Sequence, residues 1–236
     1  MPTQTNTPQH PDLPPRLAVF PLRDTVVYPA VPAQLSSTRP QTIQLVSRAL
    51  KTNSPIALVT LRQPTNTPHA NDLYHTGTAA TIQRMWHLPD GSIRFLVQGL
   101  CRIAITDIIE KDNGLEISPN IILPRTHKSQ KLQALVSGVS AQFQQILSLT
   151  PHLPDELQIA ALNIHAPDHL SDFIAFHLNI DLAEKQAFLD DYDPTTRLQR
   201  LAHLMSQELD VLELGLRVRS QIQSELDHSR REHLIR

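Results

Sequence analysis

Cysteine is almost missing from this chain: Cys101 stands alone among 236 residues. An intramolecular disulfide is therefore excluded, which fits a reducing compartment and a cytoplasmic location. Glycine is scarce as well, with six residues, none of them in a G-x-x-x-x-G-K arrangement. That rules out a Walker-type phosphate loop. No G-x-S-x-G nucleophile elbow occurs either. Neither charge sign dominates: the formal net charge is -2, so nothing marks the chain for nucleic acid or anionic lipid. No apolar run approaches the roughly 18 residues that span a bilayer. Residues 1–15 lack the basic and apolar segments of a secretory signal.

Apolar residues make up 40% of the chain, which is ordinary for a globular protein. Nineteen prolines suggest stiff connections. Residues 1–15 offer almost nothing to bury and read as a disordered tail. Residues 16–123 carry the punctuation of β structure. Short apolar runs at 17–20, 25–28, 56–61, 78–82, 92–97, 101–105 and 115–123 are separated by turn signals such as Pro89-Asp90-Gly91 and Asp112-Asn113-Gly114. Ile93, Phe95 and Val97 alternate with Arg94, Leu96 and Gln98, the period of a strand with one buried face. One helix interrupts the region, over residues 42–51, with Ile43, Val46 and Leu50 at helical spacing.

A polar joint over 124–130 ends the period of two. Residues 129–192 read as a helical bundle. Leu132, Leu135, Val136, Val139, Phe143, Ile146 and Leu147 form the stripe of its first helix. Leu157, Ala160, Ala161 and Ile164 mark a second helix, and Leu170, Phe173, Ile174 and Leu178 a third. Asp181 with Glu184 starts a fourth. Asp193 caps the last helix and Pro194 suits its first position. Its stripe of Leu198, Leu201, Met205, Leu209, Leu212 and Leu216 thins beyond Arg217 to Val218, Ile222 and Leu226. A helix over residues 194–236 would be roughly 64 Å long at about 1.5 Å per residue. A compact domain of this size is about 30–40 Å across, so the second half is expected to leave the globule. With no glycine cap at Arg236, the helix is expected to continue into a segment beyond this chain.

Few residues offer catalytic or metal chemistry. Cys101 reads as an inert core thiol, since nothing basic is placed to lower its pKa. Of twelve histidines, the pairs His165/His169 and His228/His233 lack partners at ligand spacing, so no metal site is expected. Asp190 and Asp191 read as solvated residues at a helix end.

Several segments, in order, resemble the N-terminal domain of Lon, the ATP-dependent serine protease. They are Phe20-Pro21-Leu22-Arg23-Asp24-Thr25-Val26-Val27-Tyr28-Pro29, Asp72-Leu73-Tyr74 with Gly77-Thr78, Leu88-Pro89-Asp90-Gly91 and Val97-Gln98-Gly99-Leu100-Cys101-Arg102. Residues 193–198, Arg219-Ser220-Gln221 and Ser229-Arg230-Arg231-Glu232 complete the series. The chain departs from the family pattern at Ala30, where glycine is usual, and at Gln98, where glutamate is usual.

The resemblance implies an α+β fold: a PUA-like β pseudo-barrel, then a helical bundle ending in one long protruding helix that leads into an ATPase domain. It also implies that ATP, Mg and the Ser–Lys dyad belong to downstream domains, with no cofactor in this chain. The expected function is non-catalytic: capture of unfolded or damaged protein substrates, with self-association in a hexameric parent. The alternatives are a structural arm that organises the hexamer, or a stand-alone binding protein of this domain type.

A binder of unfolded segments needs adaptable apolar surface. In the strand before Pro89, strict alternation puts Trp86 and Leu88 on the face of Ile82 and turns Met85 the other way. Met85, Trp86 and Leu88 are the substrate-contact candidates, Met85 for its flexible thioether stem. The competing reading packs Met85 under the helical subdomain and Trp86 and Leu88 in the core. Val218, Ile222 and Leu226 are the candidates for self-association along the strut helix.

Overall fold

The computed structural model describes residues 11–125, 129–150 and 154–235, apart from the side chains of residues 155, 224 and 226–235. It divides into two units: Met1–Arg125 with Ala175–Tyr192, and Thr126–Ile174 with Asp193–Arg236.

The first unit is built on six strands: β1 (Leu17–Leu22), β2 (Pro32–Ser37), β3 (Ile56–Thr60), β4 (Thr76–His87), β5 (Ile93–Lys111) and β6 (Gly114–Ile122). Their order is β2-β5-β4-β3-β1-β6, and β5 pairs with β6 as well. β1, β3, β4, β5 and β6 therefore close on one another as a barrel, and β2 extends the sheet beside the first half of β5. β1 and β3 run parallel, Val19 opposite Ala57. A parallel pair needs a crossover, supplied here by β2 and helix α1 (Pro40–Thr52).

Parallel strands buried on both faces read as near-continuous apolar runs, and every residue of β3 is buried. Ile56 and Leu58 join a cluster with Phe20, Val46, Ile82 and Phe95. Ala57 and Val59 join a second one with Leu17, Val19, Ile103 and Ile117. Phe20 and Phe95 meet edge to face with centroids 5.2 Å apart, a geometry that adds to burial.

Residues 25–28, expected as a strand, form no ladder although Val26, Val27 and Tyr28 are buried. Side chains and a close backbone approach hold them instead. Thr78 Oγ1 donates to the Val27 carbonyl at 2.6 Å. A Cβ on Gly99 would stand 2.2 Å from the Tyr28 carbonyl oxygen, so only glycine fits there. Ala30 follows with φ 59°, the left-handed region where glycine is the cheaper residue. The runs at 92–97 and 101–105 are one strand, β5, continuous through Gly99. β2 was not anticipated: its exposed and buried positions alternate, but Ala33 and Leu35 are its only apolar residues.

Two further expectations shift. Of the expected tail at 1–15, Leu13 packs against the cluster holding Leu17 and Ile117. Residues 175–192, expected in the bundle, belong to the barrel unit, and the border falls inside helix α4 (Pro167–His177). Polar anchors explain this. Tyr28 donates its hydroxyl to the Lys185 carbonyl at 2.7 Å, and Gln186 Nε2 donates to the Thr76 carbonyl at 3.0 Å. Buried Arg102 donates Nε to the Leu189 carbonyl at 3.1 Å and Nη2 to that of Phe188 at 3.5 Å. These carbonyls end helix α5 (Leu182–Asp190), where a cation also complements the helix dipole. At the other end Asp181 accepts from the Glu184 amide at 2.6 Å, the cap expected from the sequence.

The second unit contains α2 (Gln130–Leu149), α3 (Asp155–Asn163), most of α4, and α6 (Pro194–Ile235). Leu132, Val139, Phe143, Ile146 and Leu147 of α2 are buried, as are Leu198, Leu201, Met205 and Leu209 of α6. Phe143 and Phe173 meet edge to face at 6.1 Å. Within this apolar packing lies an ion pair, Arg197 Nη1 with Asp172 Oδ1, each side chain only 1% exposed. Asp193 Oδ1 accepts from the Thr195 amide at 2.9 Å and caps α6. The 42 residues of α6 correspond to about 63 Å.

Candidate functional site

The hairpin of β4 and β5 positions the substrate-contact candidates, and one irregularity decides what they do. Ile82 pairs with Val97, but the next pair is Arg84 with Leu96, so Gln83 is an extra residue in a β-bulge. A one-residue slip exchanges the two faces of a strand. Beyond the bulge Met85 pairs with Phe95 and Trp86 with Arg94. Directly opposed residues share a face, and Phe95 is wholly buried.

The faces expected from strict alternation are thus reversed. Met85 turns inward against the cluster of Phe20 and Phe95, where its Sδ accepts from Ser47 Oγ of α1 at 3.7 Å. Trp86 turns outward and is 44% exposed. Leu88 lies half-buried in the turn. There Leu88 N donates to the Ser92 carbonyl at 2.9 Å and Gly91 N donates to the Leu88 carbonyl at 3.0 Å. Gly91 adopts φ 81°, and Asp90 Oδ1 accepts from the Ser92 hydroxyl at 2.6 Å and its amide at 2.9 Å. Those two bonds hold the Asp90 carboxyl below its ordinary pKa.

Around Trp86 the outward face carries Arg84 on its own strand, Arg94 and Leu96 on β5, and Gln34 and Ser36 on β2. An exposed indole flanked by two arginines and a leucine offers apolar and cation–π contact together. Arg84, Arg94 and Leu96 were not singled out from the sequence. The period of two was the available signal, but it places them beside Trp86 only once the bulge is known.

The second set of candidates lies in the other unit. Val218 is 46% and Ile222 52% exposed, and the side chain of Leu226 lies outside the described residues. Leu216, expected within the bundle stripe, is instead 45% exposed. Burial along α6 stops at Leu209 and half-buried Leu212. The contact with α2 runs out there, Gln145 Nε2 donating to Glu213 Oε1 at 3.4 Å. Exposed Val211, Leu214 and Val218 follow one another at steps of three and four residues along one helix face.

Burial pushes the Cys101 thiol up to about 11, so the thiolate that reacts is suppressed. Among the described residues no three His, Cys, Asp or Glu side chains are grouped to hold a metal ion. No helix among them is long and apolar enough to cross a membrane.

A family model described as the ATP-dependent protease La (LON) substrate-binding domain matches residues 16–207. The chain belongs to the Lon substrate-binding domain family. Its relatives include the Lon protease of Dictyoglomus thermophilum, 34% identical over 225 residues, covering 95% of this chain and 28% of the relative. The Lon protease of Escherichia coli (strain K12) is 31% identical over 220 residues, covering 93% of this chain and 28% of the relative. The chain therefore spans a little over a quarter of the length of these Lon proteases. The solved N-terminal domain of Mycobacterium avium complex Lon protease has the same fold, with a TM-score of 0.65, 18% identity, and coverage of 81% of this chain and 98% of that one. The Lon N-terminal domain protein from Xanthomonas campestris follows at a TM-score of 0.57 and 17% identity, covering 79% and 96%. The Lon motifs now acquire physical meaning: Gly99 admits the Tyr28 backbone, and Tyr28 and Arg102 fasten α5 to the barrel.

Proposed function

We propose that this chain captures unfolded or damaged protein segments for a downstream ATP-driven, Mg-dependent motor and Ser–Lys protease in the cytoplasm, with no catalysis of its own. The observation that carries this reading is the outward Trp86 within the Lon substrate-binding fold. Targets of such a module share exposed apolar side chains and no sequence. A solvent-facing indole with half-buried Leu96 meets those side chains, and Arg84 and Arg94 keep the surface soluble and accept acidic neighbours. The deciding experiment titrates the 236-residue chain with one protein in native and in permanently unfolded form. Binding confined to the unfolded form supports capture, and equal or absent binding of both forms by chains immobilised at high density removes it. Density matters because single modules bind weakly and gain by avidity.

A second reading, an arm that organises a hexamer, is favoured by the exposed apolar residues Val211, Leu214, Val218 and Ile222 on α6. Removing residues 217–236 should then abolish self-association and leave the unfolding transition in place. Unchanged sedimentation would count against it.

A further inference from the structure

A cavity of about 390 Å³ opens in the barrel unit, between α1, the start of β1, the start of β3 and the β5–β6 turn. Its size falls in the range of specific ligand sites. Among the described residues, Arg16, Arg48 and Lys111 line it together with a single carboxylate, Glu116. That concentration of positive charge departs from the net charge of -2 of the whole chain.

The carboxylates at hand leave two of these cations with spare capacity. Glu116 is engaged by Lys111 at 2.6 Å, and Asp107 by Arg16 Nη2 at 2.8 Å. The other terminal nitrogen of Arg16, Nη1, is buried with no hydrogen-bond partner among the described residues. The Arg48 guanidinium has no ion-pair or hydrogen-bond partner among the described residues. A buried charged donor left unsatisfied is costly, and negative charge brought into the cavity beside Arg16 would offset part of that cost.

The rest of the lining selects which anion. Pro14, Leu45 and Pro55 give the cavity an apolar wall, and Gln41, Asn113 and Ser54 add neutral donors and acceptors. Among the described residues that line it there is no aromatic ring to stack a base and no glycine-rich run of amides to cradle a polyphosphate. Guanidinium groups match the planar, two-oxygen geometry of a carboxylate.

We propose that this cavity receives a peptide carboxylate flanked by apolar side chains, with Arg48 taking the carboxylate beside the Arg16 guanidinium and Pro14, Leu45 and Pro55 meeting the neighbouring side chains. The carboxylate has two sources, a free C-terminus or an internal acidic side chain. The site is separate from the Trp86 face and does not depend on how that face is read.

The test uses the 236-residue chain and fluorescein-labelled hexapeptides of sequence SGALLV, followed by fluorescence anisotropy. One peptide has a free C-terminus, a second is its C-terminal amide, and a third is an amide with aspartate in the penultimate position. The free acid, the aspartate peptide or both should bind at least about tenfold more tightly than the plain amide. Arg48→Gln should remove that advantage, and Trp86→Ala should leave it in place. Arg48 is exposed, so Arg48→Gln should keep its circular dichroism and unfolding midpoint. Amide chemical shifts of Gly114 and Leu115 should move on titration. Equal binding of all three peptides, no binding at millimolar peptide, or an Arg48→Gln variant that still prefers the carboxylate would each overturn the proposal.

Discussion

Replacing Met85 and Trp86 in turn by alanine separates the two roles that the Gln83 bulge assigns them. Met85 is half-buried against the Phe20–Phe95 cluster. Truncating a fully buried methionine costs about 2–5 kcal/mol, so a half-buried one should cost about 1–2.5 kcal/mol. For a domain of this size that lowers Tm by about 3–8 °C. Trp86 is 44% exposed, and its removal should change stability by no more than about 0.5 kcal/mol. Its loss from a binding face should cost about 2 kcal/mol in affinity, which is about thirtyfold in Kd. The assay pairs thermal unfolding with titration of a reduced, carboxymethylated protein, binding being expressed per folded molecule. Deleting Gln83 completes the set. It removes the extra residue while Met85 keeps Phe95 and Trp86 keeps Arg94 as partners, so affinity should survive. The reasoning fails if Trp86→Ala binds normally, or if Met85→Ala keeps its Tm and loses affinity.

Other perturbations probe the framework. Asp172→Ala takes the Asp172 carboxylate away from buried Arg197 in the second unit and should cost about 3–5 kcal/mol in urea unfolding. The double variant Asp172→Leu with Arg197→Met should recover most of that, and a double variant no better than the single one would remove this account of the pair. Gly99→Ala drives a Cβ to 2.2 Å from the Tyr28 carbonyl and should cost at least about 1–3 kcal/mol, read from the denaturant midpoint. The Cys101 thiol, with its pKa pushed up to about 11, should be roughly one part in a thousand thiolate at pH 8. Its reaction with a disulfide reagent should therefore be slow in the folded chain, rise about tenfold per pH unit towards 11, and accelerate on unfolding. Fast labelling at pH 8 would contradict the burial. Ala30→Gly relieves a residue held at φ 59° and should stabilise by about 0.5–1 kcal/mol, a gain visible as a higher Tm.

Much of the architecture was legible because it is written in local periodicities. The capping pairs Asp181–Glu184 and Asp193–Pro194 fix where α5 and α6 begin, and the stripe from Leu132 to Leu147 gives α2 its buried side. Such signals need only neighbours three or four residues away. The run at 25–28 misled because its apolar residues are buried by Thr78 and Gly99 contacts and not by a ladder. β2 was silent because its identity comes from pairing with β5, not from its own composition.

The sequence by itself determined that a β-rich region precedes a helical one, that the last helix is long, and that the chain resembles Lon N-terminal domains. Tertiary structure alone decided that α5 belongs to the barrel, that Leu216 lies beyond the reach of α2, and that Trp86 faces solvent while Met85 faces the core. The physical reason is that a bulge, a strand's partners and the end of a helix–helix contact are settled by residues distant in sequence. One unpaired residue at Gln83 is enough to reverse a face that alternation assigns the other way.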